Sequence, residues 1–259
     1  MKMTEQASAD GKRKGGQRGL LSLVGSPKST GAPAAVSAHE RVYQSLRQRI
    51  LTGGFLPGRP VTLRGIATQL HVSPMPVREA VRRLIAERAL DMQDNRRVSV
   101  PAMTKEKFEQ IVFARRSLEP ELALRALPHI TVAKLAEIEA LDEGIDRSMA
   151  SGDIEGYMRG NYGFHFAIYE QAEAETLLAL TESVWLQFAP FMRMVYGRFG
   201  TAKLIDQHVL ARQAIHRRDP RMLAAAIRED IMQGMRFIGE AALKNESSAP
   251  EAPDRDIIA

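Results

Sequence analysis

The chain has 259 residues and no cysteine, and 36 Lys and Arg against 31 Asp and Glu leave a net charge of +5. The lack of cysteine excludes disulfides, thiol catalysis and cysteine-ligated zinc. No apolar run approaches the roughly 18 residues a membrane span requires, and the short run Leu20–Gly25 is too brief for a secretory signal. The expectation is a cytoplasmic protein. Charge is unevenly spread. Residues 1–37 hold 6 basic and 2 acidic groups, residues 38–102 hold 11 and 5, and residues 103–259 hold 19 and 24. A basic front and an acidic rear predict a polyanion partner for the front alone.

Residues 1–37 are rich in Gly, Ser, Ala, Lys and Pro and lack an apolar period, which predicts a disordered basic tail. In residues 38–102, Val42, Leu46 and Ile50 recur at helical spacing and stop at Gly53-Gly54. A turn at "LPGRP" leads into a short helix capped by Thr62, with Leu63, Ile66, Ala67 and Leu70 on one face. After a tight turn at His71-Val72 comes "SPMPVREAVRRL". Ser73 is a natural N-cap, and Pro74 falls at the first helical position, where its missing N–H costs nothing. Pro76 still lies in the first turn, whose donors have no intrahelical partner. The prolines therefore start this helix. Val77, Ala80, Val81 and Leu84 form its buried face, and Arg78 and Arg82 share a more exposed one. "ALDMQDNRRVSVPAM" then alternates about a polar tip at Asp94–Arg97, which predicts a two-stranded hairpin.

Residues 103–245 read as helices over Thr104–Leu127, Thr131–Ser151, Asp153–Ala172, Thr176–Arg198, Thr201–Arg217 and Pro220–Lys244, with a kink expected at Pro120. Residues 246–259 are polar and contain proline, which predicts a flexible tail. The predicted fold is mainly α: an N-terminal winged helix-turn-helix with a small β wing, then an all-α antiparallel helical bundle. A short helix, a tight turn and a second helix led by Ser and Arg fit a reader of the DNA major groove.

The run "LPGRPVTLRGIATQL-HVS-P-PVREAVRRL" resembles the DNA-binding domain of GntR-type bacterial transcription regulators. The segments "RRSLEPELALRAL", "NYGFHFAIYEQA" and "HVLARQAIHRRDPRMLAAAIREDI" resemble the FadR-like branch, whose C-terminal ligand-binding domain is of the FCD type. Together the likeness covers about residues 40–243. It implies a homodimeric regulator, not an enzyme, that binds a double-stranded DNA operator and responds to a small carboxylic-acid effector. The implied DNA contacts are Arg64, Ser73, Pro74, Met75, Arg78 and the wing at Asn95 and Arg96, with Arg82 beside them. Many members carry Arg and Thr where this chain has Pro74 and Met75, and Gly where it has Arg97. Pro74 cannot bond a base edge and Met75 offers only apolar contact, which predicts altered base reading.

In the helical region, apolar spacing turns several polar groups inward: Arg115 with Glu119 one turn on, Asn161, His165, His208 and Asp230. Unpaired burial of such groups is costly, and a carboxylate on an apolar stripe needs a cation, a proton or several donors. By resemblance, Asn161, His165, His208 and Asp230 match a divalent-metal site, with Asp230 standing where His is usual. Two imidazoles, a carboxylate and an amide oxygen suit Zn²⁺ first, with Ni²⁺ or Mn²⁺ as alternatives. The resemblance also implies Arg115, Arg193, Trp185 and Tyr196 at the effector. Two other readings stay open: a helical metalloenzyme joined to a DNA-binding head, and an architectural DNA binder without a sensor.

Overall fold

The computed structural model describes residues 37–94, 96–195 and 206–246. Of the expected tails over 1–37 and 246–259, only Ser37, which caps α1, and Glu246, which ends α9, lie among them. Helix α1 (Ala38–Leu51) buries Val42, Tyr43, Leu46 and Ile50 and ends before Gly53, whose φ of +72° favours glycine. Strand β1 (Val61–Thr62) leads directly into α2 (Leu63–Gln69), and a turn at His71 leads to α3 (Pro74–Ala86). Strands β2 (Asp91–Met92) and β3 (Arg97–Ser99) form the expected wing hairpin. The sheet has a third strand that the sequence pattern did not suggest. Its order is β1-β3-β2, all antiparallel, with Val61 opposite Val98 and Met92 opposite Val98. The wing is therefore stitched to the start of α2.

The position expected to want glycine, Arg97, is the first residue of β3. The left-handed backbone falls one residue earlier, at Arg96 (φ +60°), which puts an exposed cation at the wing tip.

The bundle comprises α4 (Lys105–Ala126), α5 (Val132–Ser151), α6 (Ile154–Tyr169), α7 (Glu175–Val195), α8 (Gln207–Arg217) and α9 (Pro220–Glu246). Helix α4 runs unbroken through the buried Pro120. Helix α6 stops at Tyr169 and tightens into a 3-10 turn over Glu170–Ala172. Helix α8 begins at Gln207, where Asp206 takes the cap and accepts a bond from the Val209 amide (3.1 Å); residues 201–205 of the expected span lie outside the described residues. The expected continuation of α7 to Arg198 lies outside the described residues. Among these, no helix is long and apolar enough to cross a membrane.

The winged unit and the bundle share one continuous apolar core. It runs from Leu46, Val77 and Leu84 through Ile111 to Phe164, Trp185 and Ile227. Helix α1 packs on α6 and α7. Across that contact Arg47 of α1 lies 3.0 Å from Glu182 of α7. A side chain at Gly53 would meet the stem of Arg193 at 3.0–3.1 Å, so α7 also presses on the turn after α1.

Candidate functional site

The first candidate surface is the N-terminal end of α3. Seven helices carry a capping side chain that accepts from the amide three residues on: Ser37 from Glu40, Thr62 from Gly65, Thr104 from Lys107, Thr131 from Lys134, Asp153 from Gly156, Asp206 from Val209 and Asp219 from Met222. Helix α3 breaks the pattern. Its third helical residue is Pro76, which has no N–H, and the Ser73 hydroxyl makes no capping bond. Helix α9 also starts with proline, but its third residue is Met222, and Asp219 caps it normally. The substitution at the third position, and not proline as such, is what releases Ser73.

Ser73, Pro74 and Met75 are all exposed, Met75 at 62%. Arg64 on α2 and Arg78 on α3 are exposed and have no ion pair among the described residues. The other arginines of α3 are engaged. Arg82 pairs with Glu79 (3.4 Å). Arg83 pairs with Glu40 (3.0 Å) and Glu87 (3.3 Å), and its guanidinium lies 3.5 Å from the Tyr43 ring centroid. Asn95 lies outside the described residues. A hydroxyl released from capping is free for a phosphate oxygen. Ser73→Ala is therefore expected to leave the melting temperature nearly unchanged while weakening DNA binding. Thr131→Ala, which loses a real cap, should cost about 1 kcal/mol, or roughly 2–4 °C. Thermal unfolding beside DNA titration separates the two, and an equal loss of stability in both variants would refute the free-hydroxyl reading.

The second candidate site lies inside the bundle. His165 of α6, His208 of α8 and Asp230 of α9 converge, each offering one ligand atom, with all three atoms within 4.8 Å of one another. His165 Nε2 is 3.1 Å from Asp230 Oδ2, and His208 Nε2 is 3.7 Å from Asp230 Oδ1. The first contact lies off the hydrogen-bonding direction, so His165 Nε2 is a buried nitrogen with no hydrogen-bond partner. Asn161, buried one turn before His165, makes no hydrogen bond among the described residues.

The rings are held by their surroundings. Phe164 stacks on His208 at 3.9 Å, and Trp185 lies 5.3 Å from His165. Burial resists ionisation of Asp230, but contact with His165 and the charges of His165, His208 and Arg115 outweigh it and hold the carboxyl at about 2. Burial also opposes a charge on His208, yet its bond to Asp142 and the charge of Asp230 raise its pKa.

Ligands about 2.1 Å from a shared zinc ion lie roughly 3–4 Å apart, so this set fits such an ion with a small contraction. An orphaned imidazole nitrogen facing a carboxylate is the arrangement a cation resolves.

Two expected effector residues sit differently. Arg115 is buried, but Glu119 takes its guanidinium through Nε (2.5 Å) and Nη2 (3.2 Å), and Phe188 lies 4.0 Å beneath it. A buried cation requires such a counter-charge, and the i, i+4 spacing on α4 supplies it. Arg193 lies two turns beyond Trp185 and packs on Gly53, away toward the winged unit. Trp185 does stand beside His165, with its Nε1 buried and unpartnered. Tyr196 lies outside the described residues.

Sequence periodicity did not find Asp142 or Tyr169. Asp142 of α5 is buried, bonds His208 Nδ1 (2.9 Å) and forms an ion pair with Arg212, whose Nε lies 2.9 Å away. Tyr169 OH contacts His165 Nδ1 (3.1 Å) and donates to Glu119 (2.9 Å). Tyrosine four residues after His165 was the one available signal.

Two family models match the chain: "Bacterial regulatory proteins, gntR family" over residues 38–100 and "FCD domain" over residues 110–233. The chain is 27% identical over 212 residues to the HTH-type transcriptional regulator McbR of Escherichia coli strain K12, covering 81% of this chain and 96% of that protein. It is 22% identical over 218 residues to the HTH-type transcriptional repressor GlaR of the same organism, covering 78% and 96%. Among solved structures, E. coli McbR/YncC superposes with a TM-score of 0.74 at 26% identity, covering 79% of this chain and 98% of that one. A GntR regulator from Rhodococcus sp. RHA1 shares the fold with a TM-score of 0.65 at 24% identity, covering 78% and 98%.

Proposed function

Since the chain belongs to the GntR family of transcription regulators, in the form that carries an FCD domain, we propose that it is a metal-containing, effector-responsive homodimer. Residues 38–102 bind an operator through Arg64, Ser73, Pro74, Met75, Arg78 and the wing around Asn95 and Arg96. Residues 103–245 hold a divalent cation on His165, His208 and Asp230, with Asn161 as a fourth oxygen donor. Zn²⁺ is the first choice for this donor set, and Ni²⁺ and Mn²⁺ are the alternatives. The metal would supply open coordination positions for a small carboxylic acid, with the Trp185 indole N–H at hand for a further contact.

The observation that carries the proposal is the buried His165 Nε2, 3.1 Å from Asp230 yet without a hydrogen-bond partner, within a cluster of three candidate ligands. Dimerisation follows from size. One recognition helix touches few base pairs, and useful affinity comes from two half-sites. A regulator acting on chromosomal operators works in the cytoplasm. The effector acts by favouring one arrangement of the DNA-binding units over another, which requires different affinity for the two.

The test is a thermal-shift screen of small carboxylic acids against chelator-stripped protein, with and without added Zn²⁺. The expected result is a set of acids that stabilise the protein only when the metal is present. Shifts that ignore the metal, or no shift at all, would remove the sensing role.

A further inference from the structure

We infer that Tyr169 and Asp142 are positioning residues, which fix the tautomer and ring orientation of the two imidazole ligands. The inference rests on the metal reading above. Side-chain chemistry places the Nδ1 proton in both networks. Arg115 has donors only, so both oxygens of the buried Glu119 accept from it. Tyr169 has one hydroxyl proton and gives it to Glu119 Oε2 (2.9 Å). Its oxygen then accepts from His165 Nδ1 at 3.1 Å. His165 therefore carries a proton on Nδ1, and as a neutral ring it presents a lone pair at Nε2.

The second network reaches the same end from another side. Arg212 Nε, again only a donor, lies 2.9 Å from Asp142 Oδ2. Asp142 Oδ1 then takes the proton of His208 Nδ1 at 2.9 Å. His208 also presents Nε2 to the cluster. Two lone pairs thus face the Asp230 carboxylate, at 3.1 and 3.7 Å. Three such acceptors repel one another, and a metal ion between them, or a second proton on a ring, relieves the repulsion. The frame comes from α4, α5, α6 and α8, so it is built by packing and does not wait for the metal.

This gives Arg115 and Glu119 a place in the frame and explains why a full ion pair is buried beside Trp185 and Phe188. Partners that hold the second nitrogen of a ligating histidine set ring orientation and basicity, and losing one costs about 10–100-fold in metal affinity.

The experiment titrates chelator-stripped full-length protein with Zn²⁺, and with Co²⁺ as a coloured probe, in wild type, Tyr169→Phe, Asp142→Asn and Asp142→Glu. The expected result is Zn²⁺ affinity lower by about 10–100-fold in Tyr169→Phe and Asp142→Asn. The Co²⁺ absorption bands should shift in both, and Asp142→Glu should recover part of the loss. The melting temperature of the metal-free proteins is measured in parallel. A merely structural role lowers that temperature and leaves the Zn²⁺ affinity and the Co²⁺ spectrum of the folded protein alone, which overturns the inference. Should Asp142→Asn fail to fold, Tyr169→Phe decides the matter. Wild type that binds no metal sinks both the inference and the metal reading, whereas wild type and variants that bind equally well sink only the inference.

Discussion

Arg78→Ala is expected to lower affinity for operator DNA by about 5- to 150-fold, the range of roughly 1–3 kcal/mol for a charge-assisted contact to phosphate or guanine. The structure singles this residue out. Arg82 and Arg83 share its helix, but each has acidic partners, and Arg83 also covers the Tyr43 ring. Arg78 is exposed and has no ion pair among the described residues, so removing it breaks nothing within the fold. A duplex selected from a random-sequence pool supplies the DNA, anisotropy reads the affinity, and circular dichroism checks the fold. Arg83→Ala is the internal control. It should lose the links that tie α3 to α1 and change stability more than DNA binding. If Arg78→Ala binds DNA as wild type does, α3 is not the recognition helix.

The second large effect belongs to the His165, His208 and Asp230 cluster. Ligand at 100 times its Kd stabilises a folded protein by about 2.7 kcal/mol, or roughly 5–10 °C for a chain of this size. Wild type should gain that much on saturation with Zn²⁺, and His208→Ala, His165→Ala and Asp230→Ala should gain almost nothing. Asp230→His restores the residue expected at that position by family resemblance and should retain binding. It separates the need for a ligand at 230 from a need for negative charge. Elemental analysis of protein purified without chelator gives an independent readout. A metal-induced shift that survives His208→Ala would mean the ion binds elsewhere.

Much of this molecule was legible in one dimension. The caps Thr62, Thr104, Thr131 and Asp153 and the stop at Gly152 marked helix ends because each is a local event within four residues. Inward placement of Arg115, Asn161, His165 and His208 followed from apolar spacing, and all four are buried. Strand β1 escaped because two residues carry no period, and its partners in β3, Arg97 and Val98, lie far along the chain. The cap at Asp206 escaped because it lies inside a span that reads as helical from Thr201 onward. Asp142 was invisible for a different reason. Glu139, Glu143 and Asp146 surround it in sequence, and the pattern reads as a solvated face until α8 brings His208 and Arg212 against it. Glu119 stood four residues from Arg115 in the sequence, but only tertiary burial makes that pairing obligatory.

The shared core has a thermodynamic consequence. Leu46 and Val77 belong to the same apolar cluster as Phe164 and Ile227, and the cluster is continuous across the contact of α1 with α6 and α7. The DNA-reading unit and the bundle should therefore melt as one cooperative unit, with calorimetric and van't Hoff enthalpies in agreement, instead of in two steps. An excised fragment ending near residue 102 would expose the α1 face that meets α7 and leave Arg47 without Glu182. That fragment should unfold well below the intact chain. By the same linkage, free energy supplied by a ligand deep in the bundle also resists local opening of α1, some of it far from any atom the ligand touches.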